Sequence, residues 1–119
     1  MLVEDLDVYQ KLVKLAFEVH ELTMKFPKFE LYEIGSQVRR SSNAISAILA
    51  EGFGNKHTNI YTEAISRAQG ELRETLHHLR MAYKKQYMSQ EIFHYFINAY
   101  TECSKMLFGL EKSLVNKSN

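Results

Sequence analysis

The sequence predicts an all-α fold, an antiparallel up-down-up-down four-helix bundle, on three observations. Only six of 119 residues are strong chain-breakers, five Gly and one Pro, well under the roughly 12 % of an average chain. Apolar residues recur at helical i, i+3, i+4, i+7 spacing in four separate stretches. The segments between these stretches are short, which favours antiparallel neighbours. A β-sandwich would need turn signals every 8–12 residues or so, and a doubly wound sheet would need Gly-rich βα loops; both are excluded.

The first helix is expected over residues 5–26, capped by Asp5 or Asp7, with Leu12, Leu15, Ala16, Val19, Leu22, Thr23 and Phe26 on one stripe and Pro27 ending it. Leu6, Val13, Phe17 and Met24 widen that stripe past half the circumference, which predicts burial on two sides. The second helix is expected over 30–52, with Leu31, Ile34, Val38, Ile45 and Leu49 in phase and Gly52-Phe53-Gly54-Asn55 as its stop. The third, over 58–86, carries Tyr61, Ile65, Ala68, Leu72, Leu76, Leu79 and Tyr83 near a heptad rhythm. The fourth, over 89–115, starts at Ser89 as N-cap and buries Phe93, Phe96, Tyr100, Cys103, Leu107, Leu110 and Leu114, leaving residues 116–119 to fray. Together they form a single domain over 1–119.

At 45 % apolar and 24 % charged residues the chain is globular, and no apolar run reaches the roughly 18 residues of a membrane span. The acidic start MLVEDLDVYQ lacks the basic region of a secretory signal, and Cys103 has no second cysteine to pair with. The expectation is a cytoplasmic protein without a membrane partner, with Cys103 as a small core residue.

The net charge of +1 hides an uneven distribution: residues 1–35 carry −3, residues 36–85 carry +4 and residues 86–119 are balanced. The middle segment holds all the arginines, the side chains best matched to phosphate. Arg39, Arg40, Lys56, Arg67, Arg73, Arg80, Lys84 and Lys85 are therefore the candidate nucleic-acid-binding residues. Phe53 and Tyr61, near the loop, are assigned to packing rather than base stacking.

Enzyme chemistry finds little support. Two Glu-x-x-His pairs, Glu74 with His77 and Glu91 with His94, have the spacing of di-iron bundle ligands. With Leu72 and Tyr100 pointing to the core, however, these side chains project away from the seam where metals would sit. No phosphate-cradling Gly-rich loop and no Ser, His and Asp set stands out. The expectation is a non-enzyme with no cofactor and no metal.

The faces opposite the core are rich in small residues. On the third helix the outer face carries Arg67, Gly70, Glu74, His77 and Met81; on the second it carries Ser36, Asn43, Ala47 and Ala50 beside Arg40 and Glu51. A mid-helix Gly costs roughly 1 kcal/mol relative to Ala, which suggests close approach of something at Gly70; Gly35 and Gly109 invite the same reading. A homo-oligomer meeting through Ala47, Glu51, Gly70, Glu74, His77 and Met81 is the resulting expectation.

The stretch from Arg39-Arg40-Ser41-Ser42-Asn43 to Ala50-Glu51-Gly52-Phe53-Gly54, preceded by Phe26-Pro27-Lys28-Phe29, resembles the signature of the 23S ribosomal RNA intervening-sequence proteins, also called four-helix bundle proteins. Tyr61 through Arg67-Ala68 and Gly70-x-x-x-Glu74 extend the match along essentially the whole chain. The resemblance implies an up-down bundle assembled into a ring-like homopentamer. It also implies kinship with the accessory variability protein of diversity-generating retroelements, which partners a reverse transcriptase and nucleic acid through a basic surface. The family supplies no catalytic residues to carry over; the matching positions are Arg39, Arg40, Glu51, Gly52, Gly54, Arg67, Gly70 and Glu74. This chain departs from the pattern at Ala44, Ile48 and Glu71, where Ser, Asn and Ser are common, so its second helix is more apolar. The function expected is RNA or DNA binding by an oligomer, against a second expectation of an adaptor that docks a protein such as a reverse transcriptase.

Overall fold

The computed structural model describes residues 1–118, which hold four α-helices and no strand. They are α1 (Asp7–Thr23), α2 (Ile34–Gly52), α3 (Thr58–Lys84) and α4 (Gln90–Ser118). Each helix packs on its sequence neighbours and α1 closes the ring against α4, giving an up-down-up-down bundle of 49 × 23 × 21 Å. The seven stripe residues expected on the first helix are all buried. Leu12, Leu15, Val19, Leu22 and Phe26 among them join Val38, Ile45 and Leu49 of α2, Ile65, Leu72 and Leu79 of α3, and Phe96, Tyr100, Cys103 and Leu107 of α4 in one core. Burial of this apolar surface, at about 25 cal/mol per Å², holds the helices together.

The helix ends differ from the sequence expectation for local reasons. Neither Asp5 nor Asp7 caps α1: Asp5 closes a 3-10 turn over Val3–Asp5 by accepting from the Leu2 N–H at 2.8 Å, and extended Leu6 leads into the helix. At its other end α1 stops at Thr23 and turns through Phe26. Residues 30–33 are not part of α2, because Lys28–Glu30 form a second 3-10 turn and Glu33, at φ −108° and ψ −107°, leaves the helical path before Ile34. Gln86, at φ +68°, stops α3 two residues early. Ser89 Oγ accepts from the Ile92 N–H at 3.1 Å and caps α4. That helix runs through 116–118, where fraying was expected; Asn119 lies outside the described residues.

The closest approach joins α2 to α3. A Cβ on Gly52 would fall 2.2 Å from the Ala64 Cβ, so this glycine is required by packing as much as by the turn, whose left-handed residue is Gly54 at φ +69°. Farther along the seam, Thr75 Oγ1 lies 2.8 Å from Ser41 Oγ and 2.9 Å from the Glu71 carbonyl, satisfying polar groups that are fully buried. The α3–α4 seam is tied by a reciprocal pair: Gln69 Nε2 donates to the Ser104 carbonyl at 2.8 Å, and Ser104 Oγ donates to Gln69 Oε1 at 2.9 Å.

Two expectations about packing are corrected. The flanking strip of α1 is not buried on a second side, since Phe17 is 70 % exposed and Met24 about half exposed; the other three helices fill only one side of α1. Gly109 has nothing within 4 Å of a would-be Cβ, and at Gly70 only the Arg73 guanidinium approaches, at 3.8 Å. Neither marks a tight contact within the chain, whereas Gly35 does, with the Glu30 carbonyl and Arg39 Nη1 both at 3.0 Å.

Candidate nucleic-acid interface

The basic residues singled out in the sequence divide into three groups. Two are consumed at one end of the bundle. Arg39 turns inward: Nη1 donates to Thr23 Oγ1 at 2.9 Å and Nη2 to the Leu31 carbonyl at 2.7 Å, clamping the α1–α2 connection. Lys85 Nζ pairs at 2.9 Å with Glu30 Oε2, which also accepts from the Tyr87 hydroxyl at 2.6 Å. Hydrogen bonds from Tyr87 and then Lys85 hold the Glu30 carboxyl below the usual carboxylate range, although its side chain is only 4 % exposed. Arg39 and Lys85 thus serve as clamps at this end of the bundle, Lys85 with 46 % of its side chain still exposed. Glu30, which the sequence offered only as a helix start, is the group around which the α1–α2 and α3–α4 connections close.

A second group, Arg40 and Arg67, sits on the outer α2–α3 face and is matched by acids. Burial and a hydrogen bond with Glu74 push the Glu71 carboxyl up, against the opposing pull of Arg40 and Arg67, and His78 Nε2 stands 3.5 Å from Glu74 Oε1. Two cations facing two carboxylates leave this patch near neutral. Ala47, Glu51, Glu74, His77 and Met81 are exposed and Gly70 half-buried on the same two helices. At one end of the face, Phe29 (72 % exposed), Tyr32 (82 % exposed) and Met81 present apolar surface, with Phe29 and Met81 on a groove shared with Ile34, His77 and Lys85. The Asn43 flank of α2 instead lines the α1–α2 groove with Phe17 and His20.

The third group is the unmatched one. At 3.6 residues per turn, Arg73, Arg80 and Lys84 fall within about 40° of one arc of α3, and all three are exposed. The acids of α3, Glu63, Glu71 and Glu74, lie about 80° or more away around the helix. Across the α3–α4 groove Arg73 meets Lys105, together with Ser66, Gln69, Ser104, Phe108 and Glu111; exposed Lys112 follows two turns beyond Lys105. Lys105 and Lys112 escaped the sequence reading because the charges of residues 86–119 balance along the chain. Of the acids of α4, Glu102 is drawn toward Lys11 of α1, and Glu111 stands on the wall of the α3–α4 groove. What brings Lys105 opposite Arg73 is the packing of α4 on α3, which neither a segment sum nor a count along one helix shows. Lys56 lies apart, exposed in the α2–α3 loop.

Other chemistry finds no assembled site. Among the described residues no three His, Cys, Asp or Glu side chains stand close enough to share a metal ion. Cys103 is fully buried, and burial pushes its thiol up to about 11. Phe53 and Tyr61 pack edge to face, 5.8 Å between centroids. No helix among the described residues is long and apolar enough to cross a membrane.

A family profile described as 23S rRNA-intervening sequence protein matches residues 4–109. Among solved structures, a protein of unknown function from the S23 ribosomal protein family of Bacteroides thetaiotaomicron VPI-5482 superposes with a TM-score of 0.77 at 24 % identity, over 88 % of this chain and 98 % of that one. At that identity the likeness speaks for the fold. No curated protein matches the chain.

Proposed function

The chain belongs to the 23S rRNA-intervening sequence protein family, and from that premise we propose that it is a non-enzymatic, oligomeric nucleic-acid-binding protein, with RNA as its first ligand. One observation carries the reading: Arg73, Arg80 and Lys84 form a single exposed row on α3, with Lys105 facing Arg73 across the α3–α4 groove. Such a row suits phosphates, whose neutralisation releases counterions and makes affinity fall with salt. Several copies around an oligomer would add their potentials along one rim. The near-neutral, small-residue α2–α3 face is the surface assigned to self-association, and the ring of five implied by the family resemblance is the assembly expected. Neither a cofactor nor a metal enters this reading, and the compartment proposed is the cytoplasm.

Fluorescence anisotropy with a labelled RNA tests it. Binding at about 50 mM salt that weakens linearly in log salt supports the reading, and no binding at that salt ends it. Light scattering at micromolar concentration tests the assembly, which a monomeric mass would refute. A second reading, an adaptor docking a protein such as a reverse transcriptase, is favoured by the exposed Phe29, Tyr32 and Met81 beside the α2–α3 face. Its complex would be nearly insensitive to salt.

A further inference from the structure

We propose that the α3–α4 groove takes single-stranded nucleic acid in preference to duplex, with one unpaired base stacked on Phe108 and the adjoining phosphates on Arg73 and Lys105. The inference rests on the nucleic-acid reading above and adds the form of the ligand. Phe108 is 62 % exposed and is not part of the core. It stands at the edge of a groove of about 520 Å³ whose other side chains are all polar or charged. A benzyl ring kept in water beside two cations has no folding role within this chain. Beside a row of cations, it is an exposed aromatic surface on which a base could lie.

The floor of the groove dictates how a base would lie. Gln69 and Ser104 satisfy each other across the seam, so the groove is closed between the helices and offers no slot for a base edge to enter. A base must rest flat over the rim, against the Phe108 ring. Glu111, beyond Phe108 on the groove wall, repels phosphate on that side and sends the backbone the other way, past Arg73 toward Arg80 and Lys84. Arg73 to Lys84 is eleven residues, about 16 Å of helix, a length that several phosphates of an extended strand can follow. A duplex could touch the cations, but its bases are stacked within the helix and present only edges in the grooves. Phe108 would therefore contribute to binding only an unpaired strand.

The test uses the full chain and anisotropy at about 50 mM salt, with an unpaired RNA of about ten nucleotides and the same sequence annealed to its complement. The expected result is at least tenfold tighter binding of the single strand. Phe108→Ala should cost the single strand about tenfold, the effect of losing one stacked base, and leave duplex affinity unchanged. Phe108→Tyr should restore the single-strand affinity. Because the ring is exposed, circular dichroism should be the same for all variants. Equal affinity for both forms, or single-strand affinity indifferent to Phe108→Ala, overturns this inference while the nucleic-acid reading stands. Failure of both probes to bind overturns the two together.

Discussion

The two outer faces of α3 differ in what answers their cations. Toward α2, Arg40 and Arg67 are met by Glu71, which is hydrogen-bonded with Glu74, on helices that also carry Ala47 and Gly70. Toward α4, Arg73, Arg80 and Lys84 are joined by Lys105, with Glu111 as the acid on the groove wall. One helix thus presents a compensated surface and an uncompensated one. A net charge of +1 describes neither. Local imbalance rather than total charge decides whether a polyanion can be held.

Charge reversal on the two faces should separate them most sharply. Replacing Arg73, Arg80 and Lys84 together by Glu is expected to lower RNA affinity by several orders of magnitude. The triple Ala variant should flatten the slope of log affinity against log salt by about 2, at roughly 0.7 per phosphate contact on a single strand. Arg40→Ala with Arg67→Ala should move that slope little and act on oligomer mass instead. Anisotropy across a salt series measures the first effect and light scattering the second. If the α2-side pair proves to control the slope, the assignment of the faces is reversed.

The seams beneath the faces should differ next. Gly52→Val forces a side chain where even a Cβ would lie 2.2 Å from Ala64. Overpacking of this kind costs about 1–3 kcal/mol, visible as a lowered Tm in thermal unfolding. A Gly52→Val protein as stable as the parent would mean that α2 and α3 are free to separate at that end.

The clamp at the other end of the bundle gives a pH dependence. A carboxyl held below its ordinary range stabilises the fold above the unfolded carboxylate pKa and loses that contribution as pH falls through its own lower value. Glu30 is in that position, and the Lys85 ammonium, raised by the same pair, loses its share only as pH rises through its folded pKa. The contribution is therefore present from mildly acidic to mildly alkaline pH. Glu30→Gln should lower Tm across that window, and the gap to the parent should close in acid. A gap independent of pH would show that shape, not charge, holds Glu30 in place.

Much of this was legible in the sequence, and what was not has a physical cause. The core stripes of all four helices follow from period-3.6 spacing, which burial obeys because a bundle helix buries one face; Leu12 through Phe26 are the clearest case. Phe17 broke the rule because apolar spacing cannot tell a neighbouring helix from open surface. The clamp made by Arg39 and Lys85 was not legible because their partners, the Leu31 carbonyl and Glu30, are brought to them by a connection whose path no periodicity encodes. Lys105 was missed because what sets it opposite Arg73 is the packing of α4 on α3, which no pattern along one helix encodes.

The smallest effects return to the glycines of the outer faces. Gly70 and Gly109 both sit inside helices, and neither would place a Cβ against anything closer than 3.8 Å. Gly→Ala at an unstrained helical site should stabilise the separated chain by up to about 1 kcal/mol, a few degrees in Tm. Within one chain the two substitutions are thus equivalent. They part only if copies of the chain meet at Gly70, where an added methyl group occupies space that a partner helix would use. Gly70→Ala should then raise Tm at low concentration yet weaken association by light scattering at micromolar concentration, while Gly109→Ala raises Tm and leaves the mass alone. If Gly70→Ala also leaves the mass alone, self-association does not depend on close approach at Gly70, and the small residues of the α2–α3 face lose their assigned purpose.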